Sequence, residues 1–551
     1  MSRIDGNWDS LHPDSAEWSI DVSYLLSQFD SCVFLSLGAG GGSDVLQALV
    51  EGATEVHAVE VNPHINHMMT VGDPDGWRPL PPDTLVDSLS GDTTIIVDSA
   101  FTPVTLAEFS GNIYNDPRVR VVSEDARSYV RRFDGRFDLI YSLSSNTWAA
   151  LASGSFALAE NYLFTTEAFM DYWRSLSDSG FLMMEHQVYV PRLVTEVMTA
   201  LTRLGISNPT DHFAVYDLPR MRRKIILMSK QPLDDSTRYY AFGPLTDERF
   251  ADIHLLVPPA NDSLADNPVN RVVQNGWQAE ADSAVIDLSP VNDNRPFVAQ
   301  MGRWRNVNAE SLERVIPYAE FQGFPLSRIV MLIILAVVVL LILPLNLLPY
   351  LRPGRHLRLR PWLYFFSIGV AFMAVEIILI QKYTLLIGAS VYSIATVLLT
   401  LLIASGIGSR FARLFGNRVV FAGIVGWLLL DAFLFPSIIY AAGDLSLALR
   451  ILVTAALIVP VGFFMGMPFP KGALRVGDLI DWGFAVNGAA SVLGSILVLL
   501  VVFAFGYAVG LTLSAVVYSV AGLLLASRHG WEETVVDVAQ ERRTSAQPSE
   551  A

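Results

Sequence analysis

Three groups of residues could do chemistry together: the glycines Gly38, Gly40, Gly41 and Gly42, a carboxylate at Glu60 and another at Asp125. The glycines follow an apolar run at 32–37 and precede a helical one at 43–51. They read as a strand-to-helix turn whose bare backbone lets a ligand come close. Amides at the start of the following helix, beside Asp44, suit a polar or anionic group. Glu60 closes a second strand, EVHAVE, 18 positions after Gly42. That is near the ~20-residue spacing at which an acidic side chain accepts both hydroxyls of a ribose. Asp125 ends a further strand and opens a helix, either as that helix's N-cap or as an acceptor for an adenine amino group. The pattern points to a nucleotide-like ligand, with a purely structural tight turn as the plain alternative.

The elements that must position these groups alternate. Strands are expected at 32–37, 55–60, 119–122, 137–143, 181–184 and 224–228, and helices at 43–51, 126–132, 165–176 and 192–204. Such alternation predicts a parallel, doubly wound α/β sheet of Rossmann type, with ligands at the carboxyl ends of its strands near the switch point.

The second half is of another kind. From 329 to 526 the text is a series of long apolar segments with short loops, and seven candidate spans stand at 329–349, 362–380, 385–408, 419–441, 447–465, 484–505 and 508–526. An all-α polytopic membrane domain is therefore expected over 328–528, after a soluble domain at 1–230 and a connector at 231–327, with a disordered polar tail at 529–551. The lipid bilayer is one partner. Residues before 328 hold 23 basic and 44 acidic side chains, a net −21, against 15 and 10 after it, a net +5. So anionic a soluble half repels nucleic acid, and no nucleic-acid partner is expected.

Cys32, the single cysteine, is expected to fill core. His57, His64 and His67 lack a cysteine or carboxylate to complete a set, so no metal site is expected. Within the spans, Glu376, Asp431 and Asn487 are polar, and ionisable groups at that depth are costly enough to suggest function; a packing hydrogen bond is the competing reading. The segment 462–472, with Pro468 and Pro470, reads as a cavity-lining break.

The three elements in this order resemble class I S-adenosylmethionine-dependent transferases, and in detail the spermidine synthase family. The matching text is the glycine loop, AVEVNP at 58–63, DPRVRVVSEDARSYV at 116–130, FDLIYSLSSN at 137–146 and LFTTEAF at 163–169. With VEIILIQKY, SGIGS, GFFMGMPFPKG and VNGAASVLGS, the chain looks closest to bacterial membrane-bound spermidine-synthase-like proteins. The resemblance implies S-adenosylmethionine or its decarboxylated form as cofactor. The glycine loop and Asp44 would hold its methionine end, Glu60 its ribose, and Asp125 with Ala126 its adenine. Methyl or aminopropyl transfer to a small acceptor such as an amine would follow.

Two departures stand out. Gly41 takes the place of an Asp in the soluble enzymes' loop, and Leu143-Ser-Ser-Asn146 replaces their Asp-Ser-Ser-Asp run. Asn146 has no useful basicity toward an amine, so Glu160, in an apolar neighbourhood, is the substitute candidate for proton transfer. A transporter or sensor whose degenerate nucleotide domain regulates the bundle is the rival reading.

The chain is expected in the bacterial inner membrane, with a separately encoded membrane subunit or a second copy as further candidate partner. The first thirty residues hold no export signal. Basic clusters at 352–360, 410–418, 471–475 and 528 fall on one side if every span crosses, which puts the soluble half outside. S-adenosylmethionine is not normally supplied there, so either 329–349, interrupted by Pro344 and Asn346, does not fully cross, or the charge rule fails here, or the nucleotide site is no longer used; the first is the expectation, leaving six spans and a cytoplasmic soluble domain.

Overall fold

The computed structural model describes residues 8–10, 18, 20–72, 84–86, 93–95, 105–142, 161–186, 190–219, 222–242, 253–308, 322–347, 357–388, 391–527 and 531. The chain divides into two units, Met1–Ser145 with Phe169–Gly276, and Asn146–Ala168 with Trp277–Ala551.

In the first unit the described residues form one eight-stranded sheet from β1 (Val33–Leu37), β2 (Glu55–Glu60), β3 (Val119–Ser123), β4 (Phe137–Ser142), β5 (Leu176–His186), β6 (Phe213–Leu218), β7 (Arg223–Ser229) and β8 (His254–Val257), in the order β8-β6-β7-β5-β4-β1-β2-β3. The order reverses at β1, which pairs in parallel with both β2 and β4. Five neighbouring strands are parallel, as the alternation requires. The far edge is not, because β7 runs antiparallel to β5 and β6, and β8 antiparallel to β6. The sheet is therefore mixed. Only residues 219–222 separate β6 from β7, a link too short for the crossover that parallel pairing needs. A separate two-stranded ribbon joins Thr84–Val86 to Thr93–Ile95.

Helices α1 (Ser43–Val50), α2 (Pro63–Thr70), α3 (Ala126–Val130), α4 (Thr166–Ser175) and α5 (Val190–Arg203) alternate with the strands. Their starts follow local chemistry. Asn62 caps α2, its side chain accepting from the amide of His64 with Pro63 at the first helical position, and Asp125 caps α3 by accepting from Ser128. The core of this unit is apolar, with Phe34, Val45, Val56, Leu139 and Met183 fully buried. Cys32 belongs to it, and burial first and then the charge of Asp138 push its thiol up to about 12, far from reactive.

The second unit carries the apolar helices α6 (Leu326–Leu347), α7 (Leu359–Ile387), α8 (Val391–Arg410), α9 (Asn417–Phe433), α10 (Leu447–Met465), α11 (Pro468–Val476), α12 (Ile480–Phe505) and α13 (Tyr507–Ala526). Four stretches among the described residues, Leu359–Ile387, Tyr392–Arg410, Leu447–Phe505 and Tyr507–Ala526, are long and apolar enough to cross a membrane. The pair Asn417–Phe433 and Phe435–Asp444, bent by 52°, makes a fifth if counted as one span. The 59 residues of Leu447–Phe505 contain two separate long helices, α10 and α12, with α11 between them. This is the pattern of a multi-pass membrane protein.

Small residues set how closely these helices pack. A side chain at Gly494 would meet the carbonyl of Val370 at 2.5 Å, and one at Gly466 that of Ser405 at 1.9 Å, whereas Gly488 faces open space.

Candidate functional site

Parallel register brings the predicted groups to one rim. Leu37 stands opposite Val59 and Ser142, and Glu60 opposite Ser123, so the glycine loop, Glu60 and the turn to Asp125 all leave the sheet at its carboxyl edge. The loop itself is tightly bound into the fold. Gly38, Gly40 and Gly42 have φ of 82°, 46° and 74°. The amides of Gly38 and Ala39 donate to Val59 O, at 2.9 and 3.1 Å, and that of Gly42 donates to Ala39 O at 2.7 Å. These amides serve the turn, not a ligand. The exposed amide of Gly41 and those of Ser43, Asp44 and Val45 make no backbone hydrogen bond among the described residues.

Glu60 is only 9 % exposed. One carboxylate oxygen accepts from the Gly40 amide at 3.3 Å and the other from Asn62 at 2.9 Å. Each oxygen has a second lone pair, so the group is oriented without being exhausted. Asp125 uses one oxygen, at 2.9 Å from the Ser128 amide; the N-cap reading is met, and its other oxygen has no hydrogen bond among the described residues. Ala126 follows, half-buried, as the first residue of α3.

Asp44 lies just behind the loop and is 4 % exposed. Neither carboxylate oxygen makes a hydrogen bond, although the hydroxyl of Ser36 and the amides of Asp44 and Val45 face it. Burial pushes its carboxyl up to about 6, against the smaller lowering effect of those donors.

Two tyrosines that the sequence pattern did not bring out complete the rim. The hydroxyl of Tyr114 donates to Gly40 O at 3.0 Å, and its ring and Ile113 stand 2.7 and 2.6 Å from where a side chain on Gly42 would begin. Burial, then the charges of Asp44 and Glu60, raise its pKa. Tyr141, in β4, is likewise raised, by burial and then by Glu185 and Asp44. Glu185 is fully buried, is raised by burial, and pairs with Arg223 across β5 and β7. The result is an acidic rim, Glu60, Asp44 and Glu185, interleaved with phenols. An alternating apolar and polar strand end, as in FDLIYS, was the one signal for Tyr141.

The proton-transfer candidates Asn146 and Glu160 lie outside the described residues. His57 is a structural link: its Nδ1 lies 2.7 Å from Tyr129 Oη and its Nε2 2.6 Å from Glu55. No group of three His, Cys, Asp or Glu among the described residues is placed to hold a metal ion.

The three intramembrane positions are not brought together. Asp431 is 1 % exposed and paired with Lys382, with Tyr383 Oη donating to its second oxygen at 2.9 Å. Lys382 went unnoticed because its partner is 49 residues away in sequence. Glu376 is half-buried and bonded to none of the described residues. Asn487 helps line a cavity of about 420 Å³ with Phe372, Ser405, Gly466, Pro468 and Phe484.

Among solved structures the chain is similar to spermidine synthase from Thermotoga maritima, at 17% identity and a TM-score of 0.27, over 45% of this chain and 72% of that one. It is similar to a probable spermidine synthase from Corynebacterium glutamicum ATCC 13032 at 15% identity and a TM-score of 0.25, over 41% and 68%. A spermidine synthase in complex with the transition state analogue AdoDATO matches at 16% identity and a TM-score of 0.25, over 45% and 71%. No protein-family model and no curated protein matches the chain.

Proposed function

We propose that the first unit binds S-adenosylmethionine or its decarboxylated form and that the protein is a membrane-anchored, spermidine-synthase-like transferase of the bacterial inner membrane. The observation that carries this reading is Glu60: a buried carboxylate held between two backbone amides at the end of β2, joined through Gly40 to the glycine loop at the point where the strand order reverses. A fixed acceptor with unused lone pairs suits the two hydroxyls of a ribose. Asp125, with its spare oxygen, suits an adenine amino group beside Ala126, and the open amides of Gly41 and Ser43 suit the amino acid or amine end.

When bound, the sulfonium supplies an electrophilic carbon for alkyl transfer. The protein's part is to hold that carbon against a nucleophile and to take the proton the nucleophile loses. Asp44, with a carboxyl raised to about 6, can gain or lose a proton near neutrality. Asn146 and Glu160 are the further candidates from the loop after β4.

Calorimetric titration of the full chain in detergent with each form of the cofactor tests this. Binding that weakens at least about tenfold in Glu60→Ala is the expected result; heat from neither compound overturns the reading.

A second reading is favoured by Lys382, Asp431 and Glu376, charged groups inside apolar helices. In it the bundle transports or senses a solute and the sheet unit regulates it. Flux in proteoliposomes that disappears in Glu376→Gln, with no alkyl-transfer product from the chain, would select it.

A further inference from the structure

Which end of the helical bundle receives the connector fixes which face of the membrane that connector meets. Segments 161–167 and 287–302, both within the second unit, lie against one end. Tyr162 Oη donates to Gln381 O at 3.0 Å, near the last turn of α7. At the start of α13, Asn294 O accepts from the Tyr507 amide at 2.9 Å and Asn294 Oδ1 from Ala508 at 2.8 Å. The Phe297 ring packs against Phe503 and Tyr507, with centroids 4.7 and 5.8 Å apart. Ser327, in the first turn of α6, donates to Gln300 at 3.0 Å. The interhelical loops at this end, 388–390, 434–446 and 506, contain no Lys or Arg.

The opposite end is basic. There α7, α9 and α12 begin and α8, α10 and α13 finish. Arg360 bonds Ser527, Arg475 bonds Leu525 O, and Lys471 donates to Phe415 O at 2.6 Å. Arg358, Arg360, Arg410, Arg413, Arg418, Lys471 and Arg475 belong to this end among the described residues; in the sequence Arg352 and Arg355 precede α7 and Arg528 follows α13.

The remaining question is whether α6 crosses. Its stretch Leu326–Ile342 counts by length and composition among the shorter apolar helices, but the helix continues through Pro344 to Leu347, 22 residues in all, or ~33 Å at 1.5 Å per residue against a ~30 Å hydrocarbon layer. Leu335 and Val338, in its middle, pack on the bundle core. It starts at the connector end and leads to α7, which starts at the basic end. One arginine, Arg328, stands at its beginning, and Arg352, Arg355 and Arg358 follow its end.

We infer that all seven long helices cross, that the basic end is cytoplasmic, and that segments 161–167 and 287–302 face the non-cytoplasmic side of the membrane.

Single cysteines in a Cys32→Ala background test this in intact bacterial cells expressing the full chain. Val285, 61% exposed in the connector, and Leu414, 75% exposed in the turn between α8 and α9, are the reporter positions. A membrane-impermeant maleimide should label Val285→Cys in intact cells and Leu414→Cys only after permeabilisation. The reverse pattern, or labelling of Val285→Cys only after permeabilisation, overturns the inference. Should the Cys32→Ala chain fail to accumulate, the same two substitutions in the native background serve, since the Cys32 thiol is buried; labelling of Val285→Cys above the parent chain in intact cells supports the assignment, and labelling only after permeabilisation overturns it.

Discussion

The ammonium group of Lys382 in α7 is paired with the carboxylate of Asp431 in α9, and both are buried among apolar helices, 7% and 1% exposed. Lys382 also donates to the Asp431 carbonyl, and Tyr383 holds the second carboxylate oxygen. The pair is satisfied on both sides, so its removal has different consequences depending on whether one partner is lost or two.

Lys382→Met leaves Asp431 as a buried charge with only a phenol for company, and should cost about 3–5 kcal/mol. The double variant Lys382→Met with Asp431→Leu should recover most of that loss. Thermal unfolding in detergent measures both; a double variant no more stable than the single one rules out the charge argument.

Asp44 makes stability depend on pH. Its folded value of about 6 exceeds the ordinary 3.8, so the folded chain holds the proton more tightly. The stability this contributes is fully present below about 3.8, declines as the pH rises toward 6, and stays reduced above. Asp44→Asn should therefore raise stability by about 1–3 kcal/mol at pH 7.5 and leave it nearly unchanged at pH 4. Equal effects at the two pH values would contradict the assignment.

Gly42 and Gly41 separate conformational need from mere sequence. Gly42 sits at φ 74° with Ile113 and Tyr114 against it, while Gly41 has nothing within 4 Å of an added side chain. Gly42→Ala should lower stability by more than about 1 kcal/mol, and Gly41→Ala should be neutral or stabilising by up to about 1 kcal/mol. Denaturant midpoints of the two variants decide it, with equal losses as the contrary result.

Asn294 supplies an N-cap to a helix 213 residues further on. Asn294→Ala should cost about 1 kcal/mol, with Asn294→Asp retaining most of the stability. Protease sensitivity of the connector, compared between the two, reads out the effect; identical sensitivity would remove the cap from the account.

Much of the rim was legible because it is written locally. A six-residue apolar run, a glycine turn and a carboxylate at a fixed distance need no tertiary information, and Asp125 announces its cap three residues before the amide it binds. The antiparallel edge was not legible: FAVYDL at 213–218 mixes apolar and acidic residues too briefly to declare its period, and its pairing is dictated by the short link to β7. Lys382 and Tyr114 were hidden for another reason. Each takes its meaning from a partner 49 or 74 residues away, which no spacing rule reaches. The loop amides show the limit from the opposite direction, since the same glycines read as a ligand cradle turn out to spend three of their amides on the fold itself.

Asp293 and Asn294 are neighbours with separate duties. Asp293 accepts from Thr165 at 2.8 Å and its amide donates to Glu167 at 3.1 Å, while Asn294 grips the first turn of α13. A single peptide bond thus stands between the helix and the residues that open α4. Two adjacent residues of one stretch of backbone serve both the first turn of α13 and the segment 165–167, so a change at either residue is felt at both contacts.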